Sequence, residues 1–183
     1  MSMRPTFFLS ALALGWGVCT SAVAKDFTSP LIGFLEAGVV CAQDTGVVRE
    51  APDTVAGTTH VVDEIPPFVS TGRRVPAVIG IGFGVQSGLV GDLGQDGVLI
   101  TVTQPPFAGS GATQQSFVSR VGSETVPSIT FYQFDFGYEL ALGDWTMTAS
   151  VGAATLYEVS FTVVPPAEMP ELAGICGFTD LLG

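Results

Sequence analysis

The chain has 183 residues, 47% of them hydrophobic and 13% charged, and a formal net charge of −11. It lacks the basic surface that binds nucleic acid or an anionic membrane, so we predict no nucleic-acid partner. The acidic residues are scattered along the chain, which is typical of solvent-facing positions on a soluble protein.

The N-terminal residues 1–24 have the pattern of a secretory signal peptide. Arg4 supplies positive charge, residues 7–18 are almost continuously apolar, and residues 22–24 (Ala-Val-Ala) place small side chains where signal peptidase cleaves. The apolar run is shorter than the roughly 20 residues that span a bilayer, and no later run comes closer. We therefore expect export to the periplasm or extracellular space, no transmembrane segment after cleavage, and one domain over residues 25–183.

Two cysteines remain once the signal peptide is removed, Cys41 and Cys176. In an oxidising compartment an even pair of cysteines favours a disulfide. We therefore predict a Cys41–Cys176 bridge that ties the first strand to the Pro- and Gly-rich tail, residues 165–183.

Strand patterns dominate the first two thirds of the chain. Five segments combine apolar residues with Gly or Pro boundaries and are interpreted as strands: 31–41, 58–65, 77–86, 98–103 and 114–121. Residues 42–57 are interpreted as an irregular, exposed connection, and Asp96-Gly97 as a hairpin turn. The alternate glycines of residues 80–84 are expected to lie under aromatic side chains from a neighbouring strand.

The last third of the chain shows the clearest alternation. Residues 129–140 place aromatic side chains on one face and polar ones on the other, and segments 145–151 and 157–163 alternate in the same way. Short turns between them predict a three-stranded meander. With about eight strands in total, the sequence predicts an all-β fold, an antiparallel β-sandwich.

The inward faces of these strands predict the hydrophobic core. Its members are Ile79, Phe83, Tyr132, Phe134, Phe136, Trp145, Met147, Phe161 and Val163.

No catalytic or cofactor motif is present, so we predict no cofactor and no catalytic residues. His60 is the one histidine, and we interpret it as a strand residue because nothing nearby in the sequence orients it as a base. Asp135 and Glu139 share a strand face but would stand roughly 13 Å apart, farther than the carboxyl pairs of glycosidases. They are interpreted as a solvated sheet edge.

The best metal candidates are Asp92 and Asp96, in the segment Asp-Leu-Gly-Gln-Asp-Gly. A calcium loop needs an oxygen ligand where Gly94 stands and a bidentate Glu where Thr103 stands. A turn is therefore the favoured interpretation, with weak calcium binding as an alternative.

The segment from Phe136 to Met147, Phe-Gly-Tyr-Glu-Leu-Ala-Leu-Gly-Asp-Trp-Thr-Met, followed by Ser-Phe-Thr-Val at 160–163, resembles the DUF3859 family of uncharacterised bacterial proteins. Ile65-Pro66, residues 83–85 and residues 104–106 fit the same pattern, over about 31–164. Gln104 stands where a histidine is expected, and residues 42–57 have no clear counterpart. The resemblance implies an immunoglobulin-like β-sandwich without an assigned activity, and no functional residues to carry over.

Together these observations predict an exported, non-catalytic β-sandwich that binds a protein partner or serves as a structural accessory of the cell envelope. The alternatives are a weak calcium-binding module and a hydrolase with an unrecognised site. A pocket that gathers Asp or Glu near His60 would favour the hydrolase, whereas an exposed apolar patch or unpaired sheet edge would favour a protein partner.

Overall fold

The computed structural model of the protein describes residues 26–42, 47–62 and 64–176. The predicted signal peptide, residues 1–24, lies outside the described residues, as do residues 177–183 of the predicted tail.

Short extended segments make up most of the described chain. The strands are β1 (Phe27–Thr28), β2 (Ile32–Cys41), β3 (Val47–Glu50), β4 (Thr58–Val61), β5 (Arg74–Pro76), β6 (Ile81–Leu89), β7 (Gln95–Thr103), β8 (Gln114–Ser123), β9 (Ser128–Gln133), β10 (Gly143–Val151) and β11 (Ala154–Val164). Helical turns within residues 26–42, 47–62 and 64–176 are limited to two 3-10 helices, Gly137–Glu139 and Pro166–Glu168, and the six-residue helix α1, Pro170–Ile175. The described part of the chain therefore holds no helix able to span a bilayer.

Two layers of sheet enclose the core. One layer has the strand order β1-β11-β10-β7-β8, with β5 added parallel to β11, and the other consists of β2, β6 and β9. The C-terminal end of β8 crosses to β6, where Gly122 and Ser123 pair in parallel with Gly88 and Leu89, so the layers are continuous at one corner. The predicted all-β sandwich is confirmed, although two of its pairings are parallel.

Most of the predicted core is buried. Six of its nine members are at most 2% exposed: Phe83, Phe134, Trp145, Met147, Phe161 and Val163. Tyr132 and Ile79 are half-buried. The prediction for Phe136 is wrong, because its side chain is 48% exposed.

The error at Phe136 comes from the end of β9. The predicted strand 129–140 stops at Gln133, and the chain turns into the 3-10 helix Gly137–Glu139. The alternation of two therefore no longer applies, and the acidic Glu139 becomes the buried residue at 4% exposure. The predicted meander is also wrong in its first pairing, because β9 pairs with β6, whereas β10 and β11 form the expected hairpin.

Two turn predictions are also corrected. Asp96-Gly97 is not the hairpin turn but a bulge near the start of β7, where Gly97 has a φ of +70° and the register with β8 shifts. Residues 42–57 are not irregular throughout, because Val47–Glu50 forms β3 and pairs with β4. The first error arises because a glycine with positive φ serves bulges and turns equally well.

The C-terminal segment docks against the sandwich. Cys41 and Cys176 form a disulfide with their Cα atoms 5.2 Å apart. In α1, Leu172 and Ala173 are 7% and 1% exposed and belong to the core. The bridge thus joins the end of β2 to a helix that is packed in place.

Candidate functional site

A hairpin arm, residues 47–62, lies outside the two layers and carries the one histidine. Its strands β3 and β4 form a separate two-stranded sheet. The β-branched Val47, Val48, Thr58 and Thr59 favour extended backbone, and Gly57, with a φ of +72°, lets the chain reverse before β4. The name "the arm" is used below for these residues.

Hydrogen bonds tie the arm to the exposed edge of β8. Ser116 N donates to Asp53 O at 3.1 Å, and Val55 N donates to Gln115 Oε1 at 2.8 Å. Arg49 Nη2 donates to Val118 O at 2.6 Å. The arm therefore lies over the open side of the sandwich. On this side β8 of one layer and β9 of the other do not pair with each other.

A chain of polar contacts continues from this edge into the interior. Gln115 Nε2 donates to the Tyr132 hydroxyl at 3.0 Å, and that hydroxyl donates to Glu139 Oε1 at 2.7 Å. Glu139 Oε2 accepts from the backbone N–H groups of Asp135 and Phe136 at 2.7 and 2.9 Å. The buried carboxylate thus joins β8, β9 and the turn that follows β9.

The same chain returns to the arm through Asp135. Its Oδ1 accepts from Gln133 Nε2 at 2.7 Å, and its Oδ2 lies 2.7 Å from His60 Nε2. The His60 and Asp135 side chains are 33% and 32% exposed. The contact is an ion pair when the imidazole is protonated and a neutral hydrogen bond when it is not.

Burial changes the acid strength of this cluster. It raises the pKa of the Glu139 carboxyl above its ordinary value, although three donors oppose the shift. Burial, reinforced by the neighbouring Glu139 charge, also raises the pKa of the Tyr132 hydroxyl well beyond its usual range. Tyr132 is therefore a hydrogen-bond donor to Glu139 at any physiological pH.

The arm and the strand edges enclose two adjoining spaces. A small polar cavity of about 50 Å³ is lined by His60, Gln115, Tyr132, Asp135 and Glu139, among others. A larger groove of about 650 Å³ runs between the arm, β8 and β9. His60 lines both spaces and therefore stands at their boundary.

Apolar and charged side chains both line the groove. Four of the apolar ones are exposed, and they lie on the arm, on β8 and on the connecting segments: Val61, Ile65, Val118 and Val126, at 37%, 41%, 55% and 73% exposure. Arg49 and Arg120 also line the groove. Arg120 Nε lies 3.7 Å from Asp96 Oδ1 and forms an ion pair with it. Arg49 has no carboxylate within ion-pair distance among the residues that the structure describes.

These contacts change the interpretation of three residues. His60 does have an orienting partner, Asp135, which stands 75 residues away in the sequence. Asp135 and Glu139 are not a solvated sheet edge, because Glu139 is buried and Asp135 N donates to its carboxylate. Acidic residues therefore gather near His60, which is the feature that favours the hydrolase alternative.

The cluster nevertheless lacks parts of a hydrolytic site. Within the described residues, no Ser, Thr or Cys side chain is hydrogen-bonded to His60, whereas a nucleophile and its base are held within hydrogen-bond reach in such sites. Both Glu139 oxygens already accept hydrogen bonds from the protein. The hydrogen bonds of this cluster join the arm to β8 and to the turn that follows β9.

Of the two calcium candidates, Asp96 lines the groove and Asp92 does not. Asp92 and Asp96 are exposed near the start of β7, and Asp96 faces Arg120. Over the described ranges, no three His, Cys, Asp or Glu side chains are grouped so as to hold a metal ion.

Comparison with known proteins identifies the family of the chain. An immunoglobulin-like protein from Pseudomonas aeruginosa, known from a crystal structure, is similar at 20% identity and a TM-score of 0.47, over 77% of this chain and 98% of that one. A search of curated proteins gives no significant match. The family model for DUF3859, a domain of unknown function, matches residues 28–163, close to the predicted limits of 31–164. The chain belongs to the DUF3859 family.

Proposed function

We propose that the protein is an exported, non-catalytic β-sandwich that binds an extended segment of a partner protein in the groove between the arm, β8 and β9. The observation that carries the proposal is an unpaired strand edge beside exposed apolar side chains. Such edges are templates for adding a strand from another chain.

The open edge belongs to β9. Phe134 N donates to Ile81 O at 2.9 Å, on the β6 side. Since alternate residues of a strand direct their backbone groups to the same side, Ile129 and Phe131 direct theirs away from β6. Both residues line the groove, and β6 is the one described strand with which β9 pairs.

The chemistry of the partner segment follows from the walls of the groove. Exposed Val118 and Val126 favour apolar side chains at alternate positions of an extended peptide. Arg49 has no carboxylate partner among the described residues, so it favours an acidic group on the peptide. The proposed ligand is therefore an apolar strand that carries a carboxylate.

A library of synthetic nine-residue peptides tests the proposal. Purified protein should select peptides with alternating apolar residues and one acidic residue. Val126→Glu should abolish this binding, and Arg49→Gln should weaken it roughly ten-fold, the effect of losing one charge-assisted contact. Leu93→Glu is the matched control, because Leu93 is 81% exposed and does not line the groove. No selection above background, or binding by Val126→Glu equal to that of the unmodified protein, would contradict the proposal.

Export has a separate test. Protein recovered from the periplasm or medium should have Lys25 as its first residue by N-terminal sequencing. Recovery of the chain with residues 1–24 intact in the cytoplasmic fraction would show that the export part of the proposal is wrong.

The His60–Asp135 contact at the boundary of the groove favours hydrolysis as a second candidate function. His60 would act as general base on water attacking an ester or amide held in the groove. Turnover of a panel of chromogenic esters and peptides, lost in His60→Gln, would support this candidate over simple binding. Equal background rates in both proteins would exclude it.

A further inference from the structure

Among the described residues, four hydrogen bonds join the arm to the sandwich, and one of them involves a side chain that can change its charge. Three ties involve backbone groups or the permanently charged Arg49. The fourth is the 2.7 Å contact between His60 on β4 and Asp135 beyond β9. Histidine is the side chain whose charge ordinarily changes between about pH 5 and pH 8.

We propose that the His60–Asp135 contact is a pH-sensitive latch that holds the arm over the open side of the sandwich, tightly in acid and loosely once the imidazole has lost its proton. An imidazolium donates a charge-assisted hydrogen bond to a carboxylate, which is roughly twice as strong as the bond between neutral groups. The Asp135 carboxylate is oriented for this hydrogen bond, because Gln133 Nε2 donates to its other oxygen, Oδ1, at 2.7 Å.

Other charged groups share the two spaces that His60 lines. Glu139 and Tyr132 lie on the sandwich side of the small cavity, together with Asp135. Arg49, Glu64, Asp96 and Arg120 line the groove. Of these, Asp135 is the one in contact with the imidazole, and Glu139 is engaged with three donors of its own.

The latch has a consequence for the groove. Val61 and Arg49 of the arm form part of the groove wall, so loosening the arm changes the shape of the site. This consequence rests on the proposed function. The latch itself is a property of the arm and can be tested without any ligand.

Trypsin measures the opening of the arm. Cleavage after Arg49 requires β3 to leave its hairpin, whereas cleavage after Arg74 requires β5 to leave β11 in the sandwich. The ratio of the two rates within one digest cancels the pH dependence of trypsin itself. We expect this ratio to rise roughly two- to five-fold from pH 5.5 to pH 8, a modest change because the paired side chains are partly exposed.

Variants separate the latch from other titrating groups. His60→Gln keeps an N–H donor without a charge, and Asp135→Asn removes the carboxylate, so the ratio should be independent of pH in both. Asp144→Asn is the matched control, since this exposed carboxylate contacts Thr162 on β11, outside the latch, and it should behave like the unmodified protein. An unmodified protein with a constant ratio, or His60→Gln with the same rise, would overturn the latch, and neither result would bear on peptide binding.

Discussion

The buried carboxyl group of Glu139 leads to a prediction about how the stability of the protein depends on pH. The sign of this dependence is set by the larger of two opposing effects on the pKa of Glu139. Burial at 4% exposure raises the pKa of this group, while three donors stabilise its charged form and lower the pKa. Of these two effects on the pKa, burial is the larger. Replacing Glu139 by Gln removes the charge with little change of shape, and so isolates this balance.

The sign of the pH dependence follows from linkage. Because the folded-state pKa lies above the ordinary value of 4.5, the folded protein holds the Glu139 proton more tightly than the unfolded chain does. The stabilising contribution is fully present below the ordinary pKa and is lost as pH rises through the raised folded-state pKa. Between those two values the loss is about 1.4 kcal/mol per pH unit.

Equilibrium urea unfolding at a series of pH values from 4 to 8 measures this loss. The stability advantage of the unmodified protein over Glu139→Gln should be largest at pH 4 and should shrink as pH rises. Glu171→Gln is the control for the loss of one negative charge, because Glu171 is exposed on α1 whereas Glu139 is buried. An advantage that widens with rising pH would refute the reasoning, because it would mean that the three donors outweigh burial.

Three further predictions concern the framework. Trp145 is completely buried, so Trp145→Ala should lower the free energy of unfolding by about 3–5 kcal/mol in urea titrations. Gly84→Ala would place a Cβ 2.5 Å from a backbone oxygen of β9 and should lower the melting temperature, whereas Gly174→Ala, with open space around it, should leave it unchanged or raise it slightly. Intact-mass analysis with alkylation should find no free thiol at Cys41 or Cys176 before reduction, and two afterwards.

Sequence periodicity predicted the fold well where strands are long and bounded by turns. The β10–β11 hairpin follows directly from the alternation around Trp145 and Phe161, because both faces of the pair are consistently apolar or polar. Beyond Gln133 the same alternation predicted a strand where the chain turns into a 3-10 helix. Phe136 and Tyr138 alternate as strand residues do, yet they stack on each other with ring centroids 5.4 Å apart around a helical turn.

The site could not be predicted from periodicity, because its parts come from separate elements. His60 meets Asp135 only when the arm folds back over β9. A local signal for the arm did exist, since Val47-Val48 and Thr58-Thr59 are β-branched pairs on either side of Gly57. Recognising a hairpin there would have placed His60 on an exposed element, but its partner across the fold depends on tertiary packing.

The difference in packing between the arm and the sandwich explains why one titrating contact can matter. Ala51 is the one buried residue among 47–62, whereas both layers of the sandwich bury large aromatic side chains. The arm is therefore held mainly by hydrogen bonds, each with a net contribution of about 0.5–1.5 kcal/mol, and it should open at a far lower free energy than the sandwich unfolds. On the proposed latch, loss of the His60 charge would therefore release the arm to the modest extent expected above, while the two layers remain folded.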